Sequence, residues 1–226
     1  MFARPAAMLL ALSVLAAPAL AKTDWVNTIA ATPEGGIRIG NPDAKVKIVE
    51  YASYTCGHCK VFNETGVLVI KAKYIAGGKV SLEQRSFIRN GPDFSASLLV
   101  ACQAPRPALA FADKLFADQD NWSKPFADMS AADAQIVQAL PPGQQPAKMA
   151  QLGKLDTWAD TRGVPLAKQA ACLNDSKAQD RLVASRNEAM TRHKLQGTPL
   201  FLINGTAVPA VYDWGKLEPS VKAALK

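Results

Sequence analysis

In the first half of the chain, after the N-terminal segment, the apolar residues form two strand patterns. A segment with helical spacing of apolar residues lies between them. Residues 46–51 are mostly apolar and follow a turn signal at 41–43, so they predict a buried β-strand. Residues 56–68 then place apolar side chains at helical spacing, and residues 80–88 return to a strand pattern. A short strand near 37–39 ends an otherwise irregular lead-in.

From Pro92 to about Leu195 the pattern is helical, rich in alanine and poor in β-branched residues. Ser130 is a candidate N-cap that forms a capping box with Asp133, and Gly197 is expected to stop the last helix. The helices predicted in this block span 96–104, 109–117, 131–140, 149–155, 166–173 and 176–195.

Strand character returns near the C-terminus. Residues 200–203 form a short apolar run, and the Asn-Gly pair at 204–205 is a strong hairpin signal. We predict a partner strand over 208–211, which Pro209 would place at a sheet edge, and a closing amphipathic helix over 213–225. The order of elements is therefore strand, helix, strand, helical block, hairpin and helix.

The first residues have the layout of a secretory signal peptide. Arg4 provides a positive start, residues 8–17 are small and apolar apart from one serine, and residues 19–21 fit a small-x-small cleavage pattern. The apolar run is shorter than the roughly 20 residues of a spanning helix, although an uncleaved anchor is the alternative. We expect cleavage near Ala21 and a mature protein in the periplasm.

Length and composition restrict the remaining classes. The 226 residues suit one domain with an insertion or two small domains, and 49% hydrophobic residues suffice for a substantial core. The formal net charge of +7 comes from basic residues scattered among acidic ones. A nucleic-acid surface usually concentrates its basic residues, so no nucleic-acid partner is expected.

The four cysteines of the chain point to redox chemistry. An even number in an oxidising compartment is consistent with two pairs. Cys56 and Cys59 are separated by two residues where a strand meets a helix, and a helix N-terminus favours a thiolate. His58 between them can add positive charge or a hydrogen-bond donor. We predict Cys56 as the exposed, attacking sulfur and Cys59 as the resolving sulfur; Cys102 and Cys172 lie in the helical block.

A metal site is the competing interpretation of the same motif. Cys56, His58 and Cys59 could supply three ligands, but no second closely spaced Cys/His pair completes a tetrahedral structural site. His193 stands alone and is interpreted as a surface or partly buried helix residue. We therefore predict no metal site and no cofactor, with transient copper or zinc binding by the reduced thiols as the alternative.

Two segments resemble the DsbA-like branch of the thioredoxin superfamily, the exported bacterial dithiol oxidases. These are residues 49–59, which lead a strand into Cys-Gly-His-Cys, and residues 197–205. The resemblance implies an α/β thioredoxin fold with a large α-helical domain inserted between its β-strands. It assigns 22–90 and 196–226 to the thioredoxin-like domain and 91–195 to the insertion.

The resemblance also implies roles for single residues. Pro199 is expected to be a cis-proline facing the cysteines, and Thr198 to present its backbone to a substrate peptide. Glu50 is expected to be a buried acid that exchanges protons with Cys59; the alternative places it at a strand edge in contact with water. Cys102 and Cys172 are expected to form a structural disulfide, the alternative being two separate buried thiols.

Two departures from the family pattern bear on function. The middle pair of the motif is Gly57-His58 where the best-known members have Pro-His, and Thr198 stands where the strongest oxidases have valine. Both favour a milder oxidant. Bacterial isomerases that resemble this fold dimerise through an added N-terminal domain, and residues 22–40 are too few to form one, so we expect a monomer. The resemblance still implies foremost a dithiol oxidase, acting on reduced or unfolded exported proteins with a membrane redox partner. Alternatives are a monomeric isomerase or reductase and a copper-handling binding protein.

Overall fold

The computed structural model describes residues 23–226, so the predicted signal peptide lies outside the described residues. One six-stranded sheet with the order β1-β2-β4-β3-β5-β6 forms the centre of the fold. Its strands are β1 (Ile29–Ala31), β2 (Ile37–Gly40), β3 (Val46–Ala52), β4 (Val80–Ser86), β5 (Leu200–Ile203) and β6 (Thr206–Val208). β1 lies in the lead-in that we expected to be irregular, and it pairs with β2 in antiparallel fashion.

β3 occupies the interior of the sheet. It runs parallel to β4 and antiparallel to β5, and all of its residues except Lys47 are buried. A strand covered on both faces is expected to be almost continuously apolar, which explains the run of apolar residues here. Glu50 is the one acid in this buried strand, so the fold positions it away from solvent.

Helical structure covers both faces of the sheet. The helical segment after β3 comprises α1 (Gly57–Val61), a π-helical turn (Phe62–Gly66), α2 (Val67–Ile70) and a second π-helical turn (Lys71–Ile75). Eight helices lie between β4 and β5: α3 (Gly91–Ala101), α4 (Pro105–Ala117), α5 (Gln119–Ala127), α6 (Ala131–Gln138), α7 (Gln145–Leu152), α8 (Leu155–Asp160), α9 (Leu166–Leu173) and α10 (Ser176–Thr191). α11 (Trp214–Leu225) ends the chain. Within residues 23–226 no helix has both the length and the apolar character needed to cross a bilayer.

The helical insertion shares a core with the segment that carries the cysteines. Cys59 and Tyr54 pack in one apolar cluster with Phe116 and Trp122 of the insertion, and the rings of Tyr54 and Phe116 lie 5.1 Å apart. Trp122 is buried and donates its indole N–H to the carbonyl oxygen of Leu115 at 2.7 Å. The cysteine segment is therefore held between the sheet and the insertion.

Several helices of the insertion differ from expectation. α3 and α4 begin earlier than predicted, at Gly91 and Pro105, and α8 was not predicted as a separate helix. α5 was not predicted, because its sequence is largely polar and contains Pro125; the burial of Trp122 stabilises it instead. α10 ends at Thr191 rather than near Leu195, since Lys194 has a positive φ of 54° and ends the helical path. As expected, Ser130 caps α6 by accepting a hydrogen bond from the backbone N–H of Asp133.

The C-terminal hairpin begins its second strand earlier than predicted. Asn204 and Gly205 both have positive φ, 50° and 83°, as a two-residue type I′ turn requires. The partner strand therefore starts directly at Thr206, opposite Ile203, and ends at Val208. Pro209 lies just beyond this edge strand instead of within it.

A disulfide joins Cys102, at the end of α3, to Cys172 in α9, with 5.3 Å between their Cα atoms. We expect the Cys102→Ala/Cys172→Ala double variant to unfold at a lower temperature, because the crosslink closes a loop with a sequence separation of 70. Such closure stabilises a fold by up to about 4 kcal/mol. Thermal unfolding and the insulin-reduction assay test this together. Lost activity with an unchanged melting temperature would contradict the structural role.

Candidate functional site

Cys56 lies at the N-cap of α1, directly before the helix begins, with extended backbone angles. It lines a cleft of about 1150 Å³ together with Thr198 and Tyr212. The residue is only 4% exposed, so the expectation of an exposed sulfur was wrong; Thr198 lies against the sulfur. Cys59, one turn into α1, is fully buried. Both cysteines are free thiols.

Two polar side chains of the insertion fix the loop before Cys56. Asp93 of α3 accepts hydrogen bonds from the backbone N–H of Tyr54 at 2.8 Å and of Arg89 at 2.9 Å. Gln119 of α5 donates to the carbonyl oxygens of Tyr54 at 2.7 Å and Cys56 at 3.2 Å. Burial raises the pKa of Asp93 to about 6, although hydrogen bonds from Ser53 and the backbone oppose the shift.

Neither Asp93 nor Gln119 was identified from the sequence. From the sequence, Asp93 lies before the helix predicted over 96–104, and Gln119 lies in the helix that was not predicted; the structure places Asp93 in the first turn of α3. Both are buried, and a buried polar group needs a partner. Their partner is the backbone of a distant segment, which sequence spacing does not show.

The surroundings shift the pKa values of Cys56 and Cys59 in opposite directions. The pKa of Cys56 is lowered to about 5, chiefly by a hydrogen bond with Cys59, with further hydrogen bonds from Thr198 and the backbone N–H groups of Cys59 and His58; burial opposes the shift. The pKa of Cys59 is raised well above its ordinary value, chiefly by burial. At neutral pH the pair therefore holds one thiolate, at Cys56, and one thiol, at Cys59.

Glu50 is fully buried in β3, so it does not contact water at a strand edge. Its Oε2 accepts a long hydrogen bond of 3.5 Å from Nε2 of Gln84, its register partner in β4, and its Oε1 has no hydrogen-bond partner. Burial raises its pKa to about 8 despite the opposing hydrogen bond from Gln84. The charge of Glu50 in turn helps to raise the pKa of Cys59.

The segment before β5 forms the opposite wall of the cleft. The Thr198–Pro199 peptide bond is cis, and the carbonyl oxygen of Thr198 lies 3.2 Å from Sγ of Cys56, where it accepts a hydrogen bond when Cys56 is protonated. Tyr212 packs beside the motif, with its ring 5.7 Å from that of His58. Sequence analysis did not identify Tyr212. The cleft thus brings Cys56, His58 and the Thr198–Pro199 peptide to one surface.

His193 does not belong to this arrangement. It lies beyond the end of α10, not within a helix as expected, and its ring is 5.7 Å from that of Tyr51. Its Nε2 is 3.7 Å from Oε1 of Glu188. Residues 23–226 contain no group of three or more His, Cys, Asp or Glu side chains placed to hold a metal ion.

The acidity of Cys56 is directly measurable. We expect the rate at which iodoacetamide alkylates Cys56 in the reduced protein to rise with pH and to reach half its maximum near about pH 5, where the thiolate forms. Cys59→Ala removes the largest favourable contact, so its midpoint should move towards the ordinary thiol value. A wild-type midpoint at an ordinary thiol pKa would contradict the geometry described here.

Comparison with known proteins agrees with this arrangement. The family model Thioredoxin_4, described as thioredoxin, matches residues 32–223. A "Putative protein-disulfide oxidoreductase" of Rickettsia bellii is 31% identical over 173 residues, covering 76% of this chain and 58% of the relative. A protein of the same name from Rickettsia felis is 28% identical, covering 83% of this chain and 59% of the relative. The chain spans less than two thirds of the length of these curated relatives.

Solved structures show the same architecture. The crystal structure of a protein-disulfide isomerase from Novosphingobium aromaticivorans aligns with a TM-score of 0.80 and 28% identity, covering 85% of this chain and 98% of that one. The crystal structure of Wolbachia pipientis α-DsbA1 aligns with a TM-score of 0.63 and 20% identity, covering 87% of this chain and 93% of that one. At this identity the likeness is one of fold. The chain therefore belongs to the thioredoxin family and has the DsbA-like form of its fold, with a helical segment inserted between β4 and β5.

Proposed function

We propose that this protein is an exported thiol–disulfide oxidoreductase that oxidises pairs of cysteines in other exported proteins. The observation that carries the proposal is the divided acidity of the pair: the pKa of Cys56 is lowered to about 5 and that of Cys59 is raised. A reduced pair that is stabilised as a thiolate tends to pass its disulfide on, which is the property of an oxidant. The names of the relatives support the same class of activity.

The reaction begins with the Cys56–Cys59 disulfide. A client thiolate attacks Sγ of Cys56, a client–Cys56 bond forms, and the bond to Cys59 breaks, leaving Cys59 with the electron pair. A second client thiolate then attacks the client sulfur, and Cys56 leaves as a thiolate. The client gains one disulfide, the enzyme gains two electrons, and the low pKa of Cys56 makes it the better leaving group.

Glu50 is the proposed proton donor to Cys59. Its pKa of about 8 keeps it protonated at neutral pH, while the pKa of Cys59 is raised well above its ordinary value. A proton therefore moves downhill from Glu50 to the newly formed Cys59 thiolate, and the reverse transfer accompanies reoxidation. Thr198 and Pro199 are proposed to hold the client backbone beside Cys56, and His58 to support the thiolate.

The direction of disulfide exchange, oxidation or reduction of the client, needs a separate experiment. The protein should be trapped in cells by acid quenching, alkylated with a mass-tagged maleimide and resolved by gel shift. An oxidase is expected to be mostly oxidised, because a membrane partner removes its electrons. A mostly reduced Cys56–Cys59 pair would contradict the oxidase assignment.

Isomerase activity is the second candidate. The Gly57-His58 pair and Thr198 both favour a milder oxidant, and the Novosphingobium relative is described as an isomerase. A reduced steady state together with rescue of a scrambled disulfide substrate would support it. In either role we propose a monomer that acts in the periplasm after cleavage near Ala21.

A further inference from the structure

Two arginines at the rim of the cleft lack an acidic partner. The cleft is lined by the charged side chains Lys60, Asp120, Arg89 and Arg186. Lys60 and Asp120 form an ion pair at 2.6 Å, so their charges cancel. Within residues 23–226 no carboxylate lies within ion-pair distance of Arg89 or Arg186. The rim of the cleft therefore carries an excess of positive charge.

Both arginines line the same cleft as the reactive sulfur. Arg89 donates a hydrogen bond to the carbonyl oxygen of Thr55, the residue before Cys56, at 3.4 Å. Arg186 donates to the carbonyl oxygen of Ile88 at 3.1 Å and lies 5.9 Å over the ring of Phe87. Each guanidinium has five N–H donors, so most of the donors remain available after these contacts.

Asp93 is a buried acid near Arg89 that partly offsets the positive charge of the rim, but its side chain does not lie at the rim. The charge of Arg89 helps to lower the pKa of Asp93. The two carboxylate oxygens of Asp93, however, already accept the backbone N–H groups of Tyr54 and Arg89, and the side chain is fully buried. A client in the cleft thus meets the two guanidinium groups without meeting this carboxylate.

Apolar side chains complete the same surface. Val61 is 50% exposed and Met190 is 43% exposed, and both line the cleft with Leu195. A client whose cysteine reaches Cys56 would place its neighbouring residues across this mixed surface. Carboxylates match guanidinium groups in geometry and charge, so acidic neighbours complement the rim and basic ones are repelled.

We propose that Arg89 and Arg186 select clients that carry Asp or Glu within a few residues of the reactive cysteine. The proposal rests on the proposed function, since it assigns a client class to the exchange at Cys56. Electrostatic complementarity mainly accelerates encounter and discriminates among partners. The two arginines are therefore specificity-determining residues, separate from the residues that exchange electrons and protons.

The test compares two dithiol peptides of identical sequence except for Asp or Asn on either side of one cysteine. The oxidised protein is mixed with each peptide, and the loss of peptide thiols is followed over time. We expect the Asp peptide to be oxidised about threefold to tenfold faster at low salt. This ratio corresponds to the free energy that two exposed ion pairs contribute. In about 1 M NaCl, where charges are screened beyond about 3 Å, the ratio should approach one.

Variants identify the arginines as the cause. In the Arg89→Gln/Arg186→Gln double variant the ratio of the two rates should fall to about one, whatever happens to either rate alone. Arg181→Gln is the matched control, because Arg181 is exposed on α10 but lines a different cavity. It should keep the wild-type ratio.

The outcomes separate the inference from the proposed function. Equal oxidation of both peptides by the wild-type protein would overturn the inference and leave the oxidoreductase intact. A preference that persists in the double variant would also overturn it, because the arginines would then serve only to hold Thr55 and Ile88. Failure to oxidise either peptide would instead count against the proposed function.

Discussion

Replacement of Cys56 by serine is expected to abolish disulfide exchange, lowering the activity to the background of the assay. Serine keeps the size of the side chain, but its hydroxyl neither forms a disulfide nor leaves as a stable anion at neutral pH. The effect should be this large because the pKa of Cys56, lowered to about 5, makes it the better leaving group. Oxidation of a reduced client and turbidity in the insulin-reduction assay provide the measurements.

Cys59→Ser is the informative companion variant. It retains the Cys56 thiolate, which attacks a client disulfide, bonds to one client sulfur and releases the other as a thiolate. Because the buried resolving thiol is absent, mixed disulfides with clients should accumulate and appear as adducts on non-reducing gels. Cys102→Ala/Cys172→Ala is the control, because that disulfide lies in the insertion and the exchange scheme does not use it. Residual turnover in Cys56→Ser, or a lack of adducts in Cys59→Ser, would contradict the assignment of the two sulfurs.

The sequence predicted the parts of the site that are local. Cys56 and Cys59 stand three positions apart at a strand-to-helix junction, a spacing that by itself indicates redox or metal chemistry. Glu50 was identifiable because an acid is rare in an otherwise apolar strand. The Thr198–Pro199 segment needed the resemblance as well, since its contact with Cys56 joins residues 142 positions apart.

The parts that were missed depend on tertiary contacts. Gln119 and Asp93 act on the backbone of the cysteine loop from two different helices, and neither helix sequence indicates that contact. The end of α10 was placed too late because apolar spacing continues to Leu195 while the backbone turns at Lys194. The expectation of an exposed Cys56 failed for the same reason: its cover comes from Thr198, a distant residue.

Glu50 should lower the stability of the fold as pH rises, whereas Cys56, whose pKa is lowered by folding, acts in the opposite direction in the reduced protein. Its pKa is about 8 in the folded protein against an ordinary value of 4.5. Between those values the unfolded chain has lost the proton that the folded protein still binds, so unfolding releases a proton. The stability that protonated Glu50 contributes is fully present below about pH 4.5 and is lost progressively as pH rises to about 8. The contribution of Glu50 to the free energy of unfolding changes by on the order of 5 kcal/mol across this range.

Glu50→Gln should remove this dependence. The amide is nearly isosteric but does not ionise, so above about pH 8 the variant should be more stable than the wild type, whereas near about pH 4 the two should be similar. Urea unfolding of the reduced proteins across this range measures the difference. Asp93 titrates in both proteins and cancels in the difference curve, which therefore reports Glu50 together with its electrostatic coupling to Cys56 and Cys59. Glu64→Gln, at an exposed acid, is the control and should follow the wild type.

The same variant tests the proposed proton transfer to Cys59. The amide introduced by Glu50→Gln provides no proton at the moment when Cys59 leaves as a thiolate, so client oxidation should slow by about a hundredfold, the lower end of the range for general acid–base catalysis. The wild-type pH–rate profile should show an inflection near pH 8, where Glu50 ionises, and the variant should lack it. A purely structural role would change stability and leave that inflection in place. An unchanged rate and profile in a more stable variant would therefore contradict the proton-transfer role.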